Sequence, residues 1–153
     1  MDYLGVTLDP FQEQAVAAID QGSSLIVAAP TGCGKTLIAE YAIEVSIKKG
    51  KRVVYTAPIK ALSNQKYRDF RRRFGESRVG IHTGDVTMNP EAEVLIMTTE
   101  IFRNLILENS PRLGDVYYTV FDEIHYLDDP ERGTVWEESI ILAPKDIRFM
   151  CLS

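Results

Sequence analysis

Apolar residues recur along the chain in two patterns, which are short continuous runs and stretches with a helical repeat. Short runs that are bounded by turn residues indicate buried strands, whereas apolar residues three or four positions apart indicate amphipathic helices. The runs predict strands at 25–27, 53–57, 78–82, 94–98, 117–121 and 147–152, and the helical repeat predicts helices at 8–19, 36–49, 60–74, 99–108 and 135–142.

Turn and capping residues mark the ends of several of these elements. Pro10 suits a first helical turn, and Gly50 follows the second helix, where a glycine cap is common. Thr98 or Thr99 is the expected cap of the fourth helix. Segment 84–92 is rich in turn residues and is expected to be a loop between two strands.

Alternating strands and helices are typical of βαβ units, which build a parallel sheet covered by helices on both faces. With right-handed crossovers, the pattern predicts one three-layer α/β/α domain around a mostly parallel central sheet. Ligands of such sheets bind beyond the carboxyl ends of the strands. Polar segments follow four of the predicted strands directly, at 29–36, 58–65, 98–100 and 122–125.

The most informative of these segments is Ala-Ala-Pro-Thr-Gly-Cys-Gly-Lys-Thr at 28–36. It follows an apolar run and precedes a helical pattern, which is the context that a phosphate-binding P-loop requires. Backbone N–H groups of such a loop converge on phosphate oxygens at a helix N-terminus. Lys35 would reach the β- and γ-phosphates, and the Thr36 hydroxyl would hold Mg²⁺. The expected nucleotide-binding residues of the loop are Ala29, Pro30, Thr31, Gly32, Cys33, Gly34, Lys35 and Thr36.

A pair of acids follows the apolar run at 117–121. A P-loop site needs a carboxylate on a neighbouring strand to hold the metal, and Asp122 has that position. Glu123 could orient or deprotonate the attacking water. Two solvated acids at a strand end are the alternative, and the presence of a P-loop favours a shared site.

Composition places the chain among globular domains. It has 153 residues, with 45% hydrophobic and 25% charged residues, which suits one domain with its own core. Its apolar runs are far shorter than the roughly 20 residues of a membrane span, and its acidic start does not resemble a signal peptide. Cys33 and Cys151 lack a metal-ligand spacing, and we expect both to be reduced and structural.

The net charge of −5 argues against a non-specific nucleic-acid binder. Basic residues are nevertheless concentrated in one predicted helix, where they could form either a solvated face or a binding surface. They are Lys60, Lys66, Arg68, Arg71, Arg72 and Arg73.

Residues 122–125, Asp-Glu-Ile-His, resemble the DExH box of superfamily-2 helicases, and Ala29 agrees with the P-loop of that group. Segment 58–66, Pro-Ile-Lys-Ala-Leu-Ser-Asn-Gln-Lys, resembles their motif Ia. Segments 83–87 and 98–101 resemble the next two nucleic-acid-facing motifs. Motif Ia and the segment after the box, 129–138, are similar to those of the superkiller-type (Ski-like) RNA helicases. The resemblance covers residues 8–153.

The resemblance implies a RecA-like P-loop NTPase fold with ATP and Mg²⁺ as cofactors. Gln12 matches the glutamine that reads adenine, and Tyr3 is the candidate for an aromatic that stacks on the base. His125 matches the residue that links the ATP site to a second motor domain. The expected catalytic residues are Lys35, Asp122, Glu123 and His125, with Thr36 and Asp122 as the metal ligands.

Further matches fall on positions that hold the sugar-phosphate backbone of a strand in the family. They are Pro58, Lys60, Asn64, Gly84, Asp85 and Thr99. Backbone contacts position a strand but carry no sequence code. Little sequence preference is therefore expected.

The resemblance also implies that residues 1–153 form the N-terminal RecA-like domain of a longer enzyme, because Ser153 matches the first residue of a Ser-Ala-Thr motif and motifs of a second domain are missing. The expected partners are single-stranded RNA, with DNA as the alternative, and a second RecA-like domain of the same chain. We expect a cytoplasmic domain that is monomeric, does not bind membranes and is nearly inactive by itself.

Two other functions stay open at this stage. One is a DNA-repair helicase of the neighbouring Hel-type branch, since backbone-directed motifs do not separate RNA from DNA. The other is a nucleotide-gated binding module, which would bind nucleotide without strand-stimulated turnover.

Overall fold

The computed structural model describes residues 2–3, 6–27, 34–123 and 147–152. The P-loop residues 28–33, His125, the predicted helix at 135–142 and Ser153 lie outside the described residues. The helices are α1 (Pro10–Asp20), α2 (Lys35–Lys48), α3 (Lys60–Phe74) and α4 (Thr99–Leu107). The strands are β1 (Asp2–Tyr3), β2 (Val6–Thr7), β3 (Leu25–Val27), β4 (Arg52–Ala57), β5 (Val79–His82), β6 (Thr87–Met88), β7 (Val94–Thr98), β8 (Val116–Phe121) and β9 (Arg148–Leu152).

The described strands form a central sheet in the order β3-β9-β8-β4-β7-β5-β6. All neighbours in it are parallel except β5 and β6. Strand β4 lies between β7 and β8, and its Thr56 is paired with Met97 on one side and Phe121 on the other. The carboxyl ends of these three strands therefore meet at one edge of the sheet.

Apolar side chains cover both faces of the sheet. On one face, α1, α2 and α3 pack on the strands through residues such as Ile19, Ile43 and Phe70, all of them buried. On the other face, α4 packs through Phe102 and Leu105. The expectation of a three-layer, mostly parallel α/β/α domain is confirmed.

The predicted element boundaries agree closely with the structure. Helix α3 runs over the predicted range, and the Oγ1 atom of Thr98 accepts from the N–H of Ile101 as the cap of α4. Helix α2 begins at Lys35, one residue earlier than predicted, directly after Gly34 in a left-handed conformation. Among the described residues, no helix is both long and apolar enough to span a membrane.

Two short hairpins were not predicted. Strands β1 and β2 pair antiparallel near the start of the chain, and β6 pairs with β5 inside the segment that we expected to be a loop. Each of β1, β2 and β6 has two residues, which is too few to show an alternating pattern. Gly80 makes the second hairpin possible, because a Cβ there would lie 2.0 Å from the carbonyl oxygen of Asn89.

The guanidinium of Arg52, at the start of β4, holds the turns at the amino edge of the sheet, opposite the carboxyl ends of the strands. It donates to the carbonyls of Pro90 at 2.8 Å and Ala92 at 3.0 Å, next to the β5–β6 hairpin. It also donates to the carbonyl of Arg112, in the turn before β8. One side chain thus joins two turns to the start of β4.

Candidate functional site

The carboxyl edge of the sheet gathers the predicted polar segments. Pro58 follows β4, Thr98 ends β7 and Asp122 follows β8. The N–H of Asp122 donates to the carbonyl of Thr56 at 2.9 Å, which extends the strand pairing to the acid. The end of β3 also points to this edge, because β3 is parallel to β9.

Gln12 ties α1 to the first turn after the P-loop. Its Nε2 donates to the Gly34 carbonyl at 3.3 Å, and its Oε1 accepts from the N–H of Asp9 at 2.8 Å. Gln12 is only 5% exposed, so its side chain does not face solvent. At Gly34 φ is +82°, which favours glycine, and a Cβ there would lie 2.3 Å from Nε2 and would displace the Gln12 amide.

Lys35 and Thr36 form the first turn of α2. Lys35 is half-buried, and Thr36 is exposed. The orphan N–H groups of this turn and the helix dipole favour an anion here. The Oγ1 of Thr36 lies 3.4 Å from the ammonium nitrogen of Lys66, on α3.

A buried tyrosine holds Asp122. The hydroxyl of Tyr55, on β4, donates to Oδ2 of Asp122. Burial and the negative charge of Asp122 raise the pKa of Tyr55 well above its usual value, so the hydroxyl keeps its proton. The other carboxylate oxygen, Oδ1, accepts from the N–H of Glu123 at 2.8 Å. Asp122 is therefore oriented from two sides.

Glu123 has a left-handed backbone, with φ at +54°. For a residue other than glycine this conformation is uncommon and strained, and such strain is often found at functional sites. Glu123 is half-buried, next to the oriented Asp122. This left-handed residue lies two positions after the end of β8.

The available oxygen atoms suit Mg²⁺. The hydroxyl of Thr36 and the carboxylate of Asp122 are hard donors, and Mg²⁺ is usually bound by one or two carboxylates together with phosphates and water. Within the part of the chain that the structure describes, no group of three or more His, Cys, Asp or Glu side chains could hold a metal by itself. Nucleotide phosphates would therefore supply further ligands.

Three of the predicted strand-binding residues are brought together. The ammonium of Lys60 lies 2.7 Å from the carboxylate of Asp85, and the position for a Cβ on Gly84 is 3.9 Å from Cε of Lys60. Asn64 is exposed one turn further along α3. Pro58 is half-buried, and Thr99 is only 4% exposed at the start of α4.

Sequence reasoning missed Tyr55 and Lys66 as site residues. Tyr55 lies in the apolar run of a buried strand, so the sequence pattern predicts a core residue there. A tyrosine among aliphatic residues is only a weak indication that its hydroxyl needs a hydrogen-bond partner. The sequence analysis gave Lys66 no role at the nucleotide site: it is one of several cations on α3 and the last residue of the segment that resembles motif Ia. Other members of that group form ion pairs, such as Arg73 with Glu44 and Arg71 with Glu76.

Comparison with known proteins places the chain among helicases. The family model described as "DEAD/DEAH box helicase" matches residues 9–153. The chain is 54% identical over 147 residues to the "DExH-box ATP-dependent RNA helicase DExH9" of Arabidopsis thaliana, and 49% identical over 146 residues to the "Antiviral helicase SKI2" of Saccharomyces cerevisiae. These matches cover 96% and 95% of this chain but 15% and 11% of the two relatives.

A solved structure supports the same placement. The structure of Mycobacterium smegmatis helicase Lhr bound to ssDNA and AMP-PNP is similar with a TM-score of 0.75 and 28% identity. The match covers 96% of this chain and 23% of that one.

Proposed function

The chain belongs to the DEAD/DEAH box helicase family, and from that premise we propose that it is the ATP-binding motor domain of an RNA helicase. Together with a second RecA-like domain, it would hydrolyse ATP to move along single-stranded RNA and unwind duplexes. The observation that carries the proposal is the carboxyl edge of the sheet, where Tyr55 orients Asp122 and where α2 begins with Lys35 and Thr36 after β3.

The residues of this edge have complementary roles in the proposal. Lys35 and the N–H groups of the first α2 turn bind the phosphates of ATP. Thr36 and Asp122 hold Mg²⁺, which supplies positive charge against the charge that develops on the transferred phosphoryl group. Glu123 orients the attacking water and accepts its proton. Gln12 binds adenine in the proposal, and its side-chain amide also donates to the Gly34 carbonyl, next to the turn that binds the phosphates.

We propose RNA as the strand for two reasons. One relative is named as an ATP-dependent RNA helicase, and segment 58–66 resembles motif Ia of the superkiller-type RNA helicases. The Lhr structure with ssDNA keeps DNA as the second candidate. Matched RNA and DNA strands of one sequence would separate the two, because only RNA offers a 2′-hydroxyl. We expect tighter binding of RNA, and equal affinities would contradict the choice of RNA.

A second RecA-like domain is part of the proposal. The chain spans 15% and 11% of the length of the two relatives, which leaves room for further domains in proteins of that kind. In related NTPases an arginine supplied from across the site is worth roughly 10³–10⁵ in rate. We therefore expect residues 1–153 alone to bind nucleotide weakly and to hydrolyse it slowly.

Hydrolysis of ATP with and without single-stranded RNA tests the function in the protein that contains these residues and a second domain. We expect RNA-stimulated hydrolysis that Lys35→Ala abolishes while the fold is kept, as judged by circular dichroism. Lys51→Ala, at the opposite edge of the sheet, is the matched control and should keep the activity. Unchanged nucleotide affinity in a folded Lys35→Ala protein would contradict the proposed site.

A further inference from the structure

Lys66 extends from the middle of α3 to the edge of the nucleotide site. Its ammonium nitrogen lies 3.4 Å from Oγ1 of Thr36 and 6.0 Å from the centre of the Tyr55 ring. The hydroxyl of that tyrosine donates to Asp122. Lys66 thus brings a positive charge next to the residues proposed to hold Mg²⁺, although it belongs to neither the P-loop nor the acid pair.

The surroundings of Lys66 favour a cation. Glu40 lies on α2, one turn beyond Thr36, and it is largely buried. Burial raises the pKa of Glu40, and the positive charges of Arg73 and Lys66 act against that increase. A hydroxyl and an aromatic ring therefore lie near the Lys66 ammonium, and the charge of Glu40 also acts on it; each of these three groups attracts positive charge.

The Thr36 hydroxyl oxygen has two lone pairs, so an ammonium held by one of them would lie within a few ångströms of a divalent ion bound to the other. Like charges a few ångströms apart repel each other strongly near a protein surface. The lysine stem is flexible, so the ammonium can leave this position while α3 stays in place.

We propose that the Lys66 ammonium competes with Mg²⁺ for the Thr36 hydroxyl. The inference rests on the proposed function, since it requires that Thr36 and Asp122 hold the Mg²⁺ of a bound nucleotide. Binding of that nucleotide turns the Lys66 side chain away from Thr36. Because Lys60 and Asn64 belong to the same helix, α3 is then in contact with both the nucleotide site and the candidate strand surface.

The Mg²⁺ dependence of nucleotide binding tests the proposal. Binding of a fluorescent ADP analogue is measured over a range of Mg²⁺ concentrations for the unaltered protein and for Lys66→Met, which keeps the length of the side chain and removes the charge. The half-saturating Mg²⁺ concentration should fall by roughly fivefold, because one competing charge beside a divalent ion is lost. Lys66→Arg keeps the charge and should stay close to the unaltered protein. Lys48→Met, at the far end of α2, is the control.

Three results would contradict the inference. Weaker nucleotide binding by Lys66→Met at saturating Mg²⁺ would mean that Lys66 contacts a phosphate. An unchanged Mg²⁺ requirement in the folded variant would mean that the Thr36 contact has no role in metal binding. If the methionine variant does not fold, Lys66→Gln gives the same comparison. If the unaltered protein shows no Mg²⁺-dependent binding, the proposed function itself fails and this inference fails with it.

Discussion

Lys60 and Asp85 form a 2.7 Å ion pair between the first residue of α3 and the loop that follows β5. Both residues match positions that hold a nucleic-acid backbone in the resemblance, yet the ion pair brings their opposite charges together. Both side chains are more than half exposed, so the pair itself adds little to stability. Its main effect is to reduce the charge that Lys60 offers to a phosphate.

Asp85→Asn should strengthen single-strand binding and make it more sensitive to salt. The free Lys60 ammonium gains one phosphate contact, and each such contact changes the slope of log K against log salt by about 0.7 on single strands. Lys60→Ala should change the slope in the opposite direction. Fluorescence anisotropy at several salt concentrations measures both effects. Asp115→Asn removes the partner of Lys51 at the opposite edge and should have no effect; weaker binding by Asp85→Asn would contradict this role.

In a protein that contains both this domain and a second RecA-like domain, Glu123→Gln should leave ATP bound but nearly unhydrolysed. The substitution keeps the size of the side chain and removes the charge that orients or deprotonates water, and such groups contribute roughly 10²–10⁴-fold. Single-turnover hydrolysis and a nucleotide titration measure the two steps separately. Glu108→Gln, an exposed acid after α4, is the control. A loss of less than about tenfold would remove Glu123 from the catalytic residues.

Tyr55→Phe should raise the Mg²⁺ concentration needed for nucleotide binding. The change removes one hydroxyl, and Oδ2 of Asp122 loses the donor that orients it. Tyr118→Phe is a matched control, because Tyr118 is equally buried and its hydroxyl donates to the carbonyl of Ser23, away from Asp122. Equal Mg²⁺ requirements in the two variants would show that Tyr55 only stabilises the fold.

Acidification should destabilise the protein through His82. Burial and the positive charge of Arg112, whose Nη1 lies 3.1 Å from Nδ1 of His82, lower the pKa of this histidine below 6.5, while Glu108 acts in the opposite direction. The unfolded chain therefore takes up the proton first. The contribution of His82 to stability is complete above the unfolded pKa of about 6.5 and is lost as the pH falls from there through the lower pKa of the folded state.

Urea unfolding between about pH 7 and pH 5.5 measures this effect, since most carboxylates titrate at lower pH. His82→Asn cannot take up a proton, and its stability should change less over that range. The difference between the two proteins isolates His82 from other titrating groups. Parallel pH profiles would contradict the assignment.

Gly80→Ala should destabilise the β5–β6 hairpin. The new Cβ would lie 2.0 Å from the backbone oxygen of Asn89, and backbone cannot move aside as a flexible side chain can. Overpacking of this kind costs roughly 1–3 kcal/mol or more. Thermal or urea unfolding gives the change. Gly84→Ala is the control, because the nearest atom to its Cβ is 3.9 Å away, and an equal loss in both variants would contradict the steric explanation.

The order of the elements and the position of the candidate site follow from sequence alone, because the signals are local. The runs at 53–57, 94–98 and 117–121 are continuous, and the polar segments that matter follow them directly along the chain. In a parallel sheet all such segments end at the same edge. The positions of Asp122 and Glu123 at that edge are thus predictable without knowledge of the strand order.

Contacts between distant segments were decided only by the tertiary structure. The strand order places β4 beside β8, and this lets Tyr55 reach Asp122, 67 residues further on. The packing of α1 against α2 brings Gln12 to Gly34, and the packing of α3 brings Lys66 to Thr36. No periodic pattern records these pairs, because each depends on how separate elements pack together and on the directions in which long side chains extend. For the same reason the two-residue strand β6, whose hairpin depends on the space left beside Gly80, gave no sequence signal.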